Sequence, residues 1–580
     1  MKTSDFIVEF LISKGITDVF GYPGGMVTHL MDSLEKAKAR IRAHLCYHEQ
    51  AAAFAACGYA QASGKVGVAY ATSGPGVTNL LTGIAHAYFD SVPAIFFTGQ
   101  VNTYEQKGAL AVRQLGFQEM EVVNIVRPIA KYAVSVKTPE QLAVELEKAY
   151  TIATTGRMGP VVIDLPMDVQ RKSLDQGLAD AILSGAEAKA DRHPGYSNLA
   201  DGIDRISSAI RNASRPLIIA GAGIASSNSK EQFRQAVQHL NIPVVTSMIA
   251  VDALPSDSPL NFGFLGAYGN RVANFIVSKA DLILSIGSRM DVRQTGNDKK
   301  IFAPHAKIIR IDFDADELTN VIHEGEEHLI LDLRPVLEQL MGISGLETKS
   351  DWLDECRKYK EVLSDYDQTE GNLVVRKIGG LIPDHAMITT DVGQNQVWVA
   401  QSFPIKENQK VLFSGGHGAM GYSLPAAIGA YYASGKPVFS FNGDGGLQMN
   451  IQELQFLVRE RIPVKIVILN NHSLGMIRHF QEMYFDSVFA QTKHEHGYSA
   501  PDFVRIAQAY GINSIDVQPQ SLNPAELKDI LEAEGPALIN VYMSDTTFTY
   551  PKLAMGKPLY DQEPPLDREL LQSLLDYKGK

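Results

Sequence analysis

Short runs that are apolar from end to end recur along this chain, with helical periodicity between them. "VGVAYAT", "VPAIFFTG" and "GPVVIDLP" form one group. "RPLIIAGAG", "IPVVTSM", "ADLILSIG" and "AKIIRIDFD" form a second. "AMITTDVG", "PVFSFNGDG", "IPVKIVILNN" and "GPALINVYM" form a third. Strands without polar alternation, separated by helices, predict parallel sheets covered on both faces. Two polar stretches, 172–198 and 342–371, interrupt the rhythm and read as part-helical linkers. The expected architecture is α/β, with units at 1–175, 195–345 and 370–550. A tail over 551–580 follows; its end reads as a short helix and its start as either an ordered flap or a frayed terminus.

Composition narrows the function. With 580 residues, 45% hydrophobic and 20% charged, the chain has material for several cores. A net charge of −12 argues against a nucleic-acid partner, but leaves small anions, which need only local donors. The three cysteines, Cys46, Cys57 and Cys356, are too few and scattered for a disulfide framework or a zinc knuckle, so a reducing, cytoplasmic setting is expected. The N-terminal "MKTSDFIVEFLISKGI" carries acids within an apolar period and reads as an amphipathic helix rather than a signal peptide. No apolar run approaches the ~18 residues of a membrane span.

The third group carries the chemistry. Asp444 stands among Gly443, Gly445 and Gly446 at the end of a strand; alone, that is a turn signature. Asn471 stands at the end of the next strand, and a strand–helix–strand crossover sets the two ends side by side on one rim. A carboxylate and an amide oxygen suit Mg²⁺, which takes few protein oxygens and fills its octahedron with phosphate and water. The glycines leave backbone N–H groups open to a phosphate. The pair reads as a magnesium–diphosphate clamp.

Gly443-Asp444-Gly445 followed at this distance by Asn470-Asn471 resembles the thiamin-diphosphate motif. "YHEQAAAFAACGYAQASGKVGVAYATSGPGVTNLLTGIAHAYFDSVPAIFFTGQ", "GRMGPVVIDLPMDVQ", "RMDVRQTG", "GGHGAMGYSLPAAIGA" and "LNNHSLGM" are similar to the acetolactate synthase large-subunit family over about residues 1–550. The resemblance implies pyrimidine-binding and diphosphate-binding domains flanking a Rossmann-like middle domain. It implies decarboxylation of pyruvate and transfer of the hydroxyethyl (acetyl) unit to a second 2-oxo acid, on the way to branched-chain amino acids. Glu49, read alone as a helix-entry acid, matches the glutamate that bonds the aminopyrimidine; Gln118 and Lys131 match residues near the reaction centre. Asp444, Asn471 and the carbonyl of Ser473 match the magnesium ligands. Met420 matches the apolar residue that bends the cofactor, and the Gly418 carbonyl an acceptor for its amino group. Val392, Gly393, Gln394 and Asn395 match the loop beside the diphosphate, with asparagine where the family usually has histidine. Leu474, Gly475 and Met476 complete the clamp loop.

The resemblance also implies FAD, redox-silent in acetolactate synthases and redox-active in pyruvate oxidases. Its matching positions are Arg157, Gly221, Gly223, Thr246, Met248, Gly266, Tyr268, Gly269, Gly287, Arg289, Asp291, Arg293, Asp312 and Asp332, with Tyr268 in place of the usual histidine. Gly416-x-Gly418-x-x-Gly421 is a decoy for a nicotinamide site. Departures gather on the substrate side: Met26 after Gly25 replaces a small residue, Tyr47 an arginine, and "VRQLGFQE" is shortened around Arg113 and Phe117. "MIRHFQE" puts Phe480 where the family has tryptophan, with Arg478 and His479 before it. These residues, with Met476, make the expected substrate pocket, and a keto-sugar or other carbonyl acceptor is the alternative to a 2-oxo acid; Arg478 or Arg113 would pair with a diphosphate on it. A third reading is oxidase chemistry. The expected partners are small-molecule substrates and a second copy in a homodimer or homotetramer, with room for a regulatory subunit.

Overall fold

A computed structural model describes residues 1–185, 197–347 and 349–577. Three six-stranded sheets follow one another along the chain, and every strand pair in them is parallel. The first holds β1 (Asp18–Gly21), β2 (Arg42–Leu45), β3 (Gly67–Ala71), β4 (Ala94–Gln100), β5 (Tyr132–Ser135) and β6 (Pro160–Pro166) in the order 2-1-3-4-6-5. The second holds β7 (Pro216–Ala220), β8 (Val244–Thr246), β9 (Asn261–Phe264), β10 (Leu282–Ile286), β11 (Lys307–Asp312) and β12 (Glu327–Ile330) in the order 12-11-10-7-8-9. Read from its own first strand, that is the dinucleotide-fold order, with the crossover reversing between β7 and β10. The third holds β13 (Met387–Thr390), β14 (Lys410–Leu412), β15 (Val438–Gly443), β16 (Val464–Asn470), β17 (Asn513–Val517) and β18 (Ala537–Tyr542) in the order 14-13-15-16-18-17. That repeats the order of the first sheet.

The central strands β4, β6 and β16 are buried at every residue, as their unbroken apolar runs require. One apolar core joins the first and third domains, running from Phe20, Ala55 and Phe96 to Ile428, Phe456 and Ile466. Its tightest point lies between the helices Glu49–Ser63 and Ser423–Ser434. The first is rich in alanine, so the backbones approach closely; a Cβ on Gly429 would stand 1.8 Å from the Ala55 carbonyl, and one on Gly58 2.3 Å from that of Ala426. Small residues here therefore fix how the first domain's acid-bearing helix sits on the third domain.

The polar stretch after the second sheet is mostly a docked helix, Ser350–Leu363. It buries Trp352, Leu353, Cys356, Tyr359 and Leu363 on one side, and Trp352 Nε1 donates to the Pro216 carbonyl at 2.9 Å. In the earlier polar stretch, Gln176–Leu183 is helical, while residues 186–196 lie outside the described ones. The tail is ordered rather than frayed. Leu553 N–H donates to Ala267 O at 2.7 Å, Lys552 pairs antiparallel with Glu563, and the closing helix Arg568–Asp576 buries Leu571 and Leu574 against the middle domain. Among the described residues no helix is long and apolar enough to cross a membrane.

Candidate functional site

β15 and β16 are neighbours, and both end on the same rim of the third sheet. Gly443 closes β15, and Asp444 opens the helix Asp444–Met449; Asn471 directly follows β16. Both side chains are buried. The Asp444 Oδ2 atom has no hydrogen-bond partner, and burial raises the carboxyl to about 7 although Tyr498 and the N–H groups of Asp444, Gly445 and Ser473 favour its charged form. A buried carboxylate oxygen without a partner is costly, and a cation is the partner that would relieve it. Asn471 Nδ2 donates to Gln394 Oε1 at 2.7 Å, and Gln394 Nε2 donates to Thr547 O at 3.1 Å. The amide's donor end is thereby tied back and its carbonyl oxygen left as the free end. The Ser473 carbonyl accepts from Gly475 N–H at 2.8 Å, which still leaves it one lone pair.

Around this pair the glycines mark a cradle. A Cβ on Gly445 would meet Leu474, Met420 and Tyr498 within 2.9–3.2 Å, so a bare face at Gly445 looks onto Met420 and Leu474. Gly393 adopts φ 144° at the entry to the helix Gln394–Ser402, with Asn395 Oδ1 against it and close to Gly443. Asn395 is buried and donates to Asp391 O at 2.6 Å. Val392, Gly393, Gln394, Asn395, Gly418, Met420, Asp444, Asn471 and Ser473 thus come to one edge of the third domain. Among the described residues no group of three or more His, Cys, Asp or Glu side chains could hold a metal. The oxygen set here differs in kind, being one carboxylate, one amide and one backbone carbonyl, the set that suits Mg²⁺ with a diphosphate.

Three contributors were not legible in advance. Asp391, just before Val392, is fully buried; it accepts from Val392 N–H at 2.6 Å and Gly421 N–H at 3.0 Å, and burial pushes it up to about 7. It pins the Gly418–Gly421 turn to the tip of β13, and its strand-end position was the available signal. Tyr498 reaches Asp444 from a distant loop, for which the sequence carries no local signal. Asn450 Nδ2 donates to Gly421 O at 2.8 Å and to Gln50 Oε1 at 3.0 Å, tying the third domain to the residue after Glu49.

In the first domain Glu49 is buried at the start of its helix and accepts from Asn79 Nδ2 at 2.9 Å. Gln118 holds φ 64° over Gly74. Gly25 and Met26 follow β1, with Met26 N–H on Thr72 Oγ1 at 3.2 Å and Met26 O on Gln170 Nε2 at 2.7 Å. Lys131 does not join them. It precedes β5, on the opposite rim from Glu49, and its ammonium binds the carbonyls of Ile152 and Thr155 at the end of the helix Pro139–Thr154; burial lowers it to about 8. Within this chain its position is that of a helix cap, apart from Glu49, Gln118 and Met26. Arg113 and Phe117 lie exposed on the loop before Gln118, Phe117 at 78%. Arg478 and Phe480 lie on the helix Gly475–Tyr484 that begins within the clamp loop, with Arg478 buried.

The flavin positions follow the tips of the middle sheet. Gly221, Thr246, Gly266, Gly287, Asp312 and Asp332 stand at or just past the C-terminal ends of β7 to β12, with Gly223, Met248, Tyr268, Gly269, Arg289, Asp291 and Arg293 in the loops and short helices beyond. Gly221 and Gly223 pack against Gly287 so closely that a Cβ on Gly221 would stand 2.1 Å from its carbonyl. The buried hydroxyls of Thr246 and Ser247 have no partner on this rim, which fits a polar ligand. Burial lifts Asp312 to about 6. Arg157 crosses from the first domain and pairs with Asp314 at 3.2 Å and with Glu317, so carboxylates already hold its guanidinium.

Three descriptions of thiamine pyrophosphate enzymes match in sequence: the N-terminal TPP binding domain over residues 1–125, the central domain over 203–340 and the C-terminal TPP binding domain over 391–541. The chain is 37% identical over 560 residues to an acetolactate synthase large subunit of Lactococcus lactis, covering 95% of this chain and 94% of that one. It is 35% identical over 563 residues to the acetolactate synthase isozyme 1 large subunit of Escherichia coli, covering 95% and 96%. It is 37% identical over 562 residues to a probable acetolactate synthase large subunit of Methanocaldococcus jannaschii, covering 93% and 92%. The chain belongs to the thiamine pyrophosphate enzymes, within the acetolactate synthase large-subunit family.

Proposed function

We propose that this protein is a thiamin-diphosphate- and Mg²⁺-dependent carboligase that decarboxylates pyruvate and transfers the acetyl unit to a second 2-oxo acid. The observation that carries the reading is the bare, buried Asp444 Oδ2 beside Asn471 and the Ser473 loop. Asp444, Asn471 and the Ser473 carbonyl would hold Mg²⁺, and the open face of Gly445 would admit the diphosphate. Thiamin diphosphate, when bound, supplies the carbon nucleophile and the electron sink. Glu49 would hold a proton at the aminopyrimidine ring nitrogen, with Asn79 orienting its carboxylate. Met420 and Leu474 would exclude water from the reacting carbon.

FAD would lie across the tips of the middle sheet without a net redox role. Two copies would associate so that Glu49 of one serves the clamp of the other. Exposed apolar residues flank both halves: Leu110, Val112, Leu115 and Phe117 beside Gln118, and Met449, Ile477, Phe485 and Val488 beside the clamp. The relatives' designation as large subunits supports a separate regulatory chain. The three buried, unpaired thiols suit a reducing compartment such as the cytoplasm. A second reading, the same donor chemistry with an acceptor that carries an extra anion, is favoured by buried Arg478.

Purified protein given pyruvate, Mg²⁺ and thiamin diphosphate tests the proposal. Acetolactate formed without an added acceptor supports it. CO₂ release that waits for a sugar nucleotide selects the second reading, and flavin bleaching by pyruvate without oxygen points to an oxidase.

A further inference from the structure

Buried cations elsewhere in this protein have their charged ends held: even Arg310, whose Nε has no partner, has both terminal nitrogens hydrogen-bonded. Arg310 meets Asn320 O, Glu326, Arg289 O and Glu317 O within 3.2 Å. Lys465 binds the carbonyls of Ala533 and Gly535. Beside the clamp the pattern breaks. Arg478, His479 and Lys552 are all buried, yet Arg478 Nε, both ring nitrogens of His479 and Lys552 Nζ have no hydrogen-bond partner. The ion pair of this cluster is long, from Arg478 to the half-exposed Asp545 at 3.8 Å.

The cluster is walled by rings. Phe548 stacks on His479 at 4.4 Å and lies 4.6 Å from the Arg478 guanidinium. Lys552 Nζ sits 5.5–5.8 Å from the rings of Phe480, Tyr484 and Tyr268. Such walls strengthen any charge–charge contact made inside them. Burial depresses all three groups, Lys552 to about 8 and His479 to about 3, the last helped by the neighbouring charges of Lys552 and Arg478. The cluster is also joined to the clamp. Arg478 lies one turn, about 5 Å, along the helix from Leu474 and donates its N–H to Leu474 O at 3.0 Å. Phe548 adjoins Thr547, whose carbonyl holds Gln394 against Asn471.

We propose that Arg478, His479 and Lys552 form the acceptor's anion site, receiving a carboxylate or phosphate of the substrate that takes up the acetyl unit. This rests on the carboligase reading above and adds to it the acceptor's chemical class. An oxyanion would accept from Lys552, from Arg478 and from the one ring N–H that a neutral His479 carries. Lys552, from the tail, and Arg478, from the clamp helix, would close on it from two sides. Asp545 competes for the same guanidinium.

The test compares three acceptors for the same donor: 2-oxobutyrate, D-glyceraldehyde 3-phosphate and uncharged acetaldehyde. Lys552→Met and His479→Gln should each raise KM for the preferred anionic acceptor about tenfold, the scale of one charge-assisted hydrogen bond. KM for acetaldehyde should stay within about twofold. Asp545→Asn, at a half-exposed position that threatens the fold little, should lower the anionic KM. Preference for 2-oxobutyrate identifies a carboxylate, and preference for the phosphate ester identifies a phosphate. Equal shifts for charged and neutral acceptors, or no shift, would overturn the proposal. If no carbonyl accepts the acetyl unit, the carboligase reading falls. Calorimetric binding of 2-oxobutyrate and inorganic phosphate then decides separately: binding lost in Lys552→Met upholds the anion site, and binding absent from the unaltered protein or equal in both overturns it.

Discussion

The first and third domains share one strand order and carry different chemistry. On the first, Glu49 opens a long alanine-rich helix and is oriented by one neighbour, Asn79. On the third, Asp444 opens a short helix bracketed by glycines, and its Oδ2 has no hydrogen-bond partner. An acid already oriented is equipped to handle a proton, and an acid left bare is equipped to take a cation. On the proposed assignment the same scaffold divides the work by what surrounds its strand tips. The middle domain has the dinucleotide order instead, and presents backbone turns and hydroxyls.

Complementation between copies breaks or sharpens this division with the largest effect. Glu49→Gln and Asp444→Ala should each be nearly inactive alone. Mixed under subunit exchange, they should recover activity toward about a quarter of the unaltered level, since half the dimers carry one intact site of two. Failure to recover, with mixed dimers demonstrated, would mean that each chain builds its own site.

The contact that aligns the two domains comes next. Gly429→Leu would drive a side chain into the Ala55 carbonyl and should lower stability by about 1–3 kcal/mol or more in chemical denaturation. Leu571→Ala, at the tail's docking face, should cost about 2 kcal/mol, with the loss confined to the middle domain by hydrogen exchange.

The smallest effect concerns Glu453, fully buried where the third domain meets the first and accepting from Tyr47 N–H at 2.8 Å. Burial raises it from 4.5 to about 8. A raised acid stabilises the fold below its unfolded value and loses that contribution as pH climbs through its folded one. The melting temperature should therefore fall from pH 5 to pH 8 by more in the unaltered protein than in Glu453→Gln. Parallel curves would mean that Glu453 does not govern this part of the pH dependence.

What the sequence made legible follows from the same physics. The central strands stood out because both faces are buried, so their residues are apolar throughout. The sheet edges β2, β5, β9, β12, β14 and β17 escaped notice. "KVL" is three residues, "NSIDV" alternates, and "RAHL" exposes its first two positions. β1 escaped because its apolar part is only two residues. Asp444 and Asn471 could be paired because a crossover fixes where consecutive parallel strand tips lie. Lys131 could not be placed by motif alone; it stands at the N-terminal end of its strand, on the rim opposite Glu49, and two carbonyls hold it. Lys552 and Tyr498 join the site through long-range folding, and no local pattern marks such contacts.

The division of labour is tested most directly by measuring binding and turnover on the same two variants. Calorimetric titration with thiamin diphosphate and Mg²⁺ should show Glu49→Gln binding within a few-fold of the unaltered protein, while its turnover falls by about 10²–10⁴-fold. Asp444→Ala should lose Mg²⁺-dependent binding itself. If Glu49→Gln lost binding and turnover together, or if Asp444→Ala kept Mg²⁺-dependent binding, the assignment of proton handling to one rim and cofactor holding to the other would be wrong.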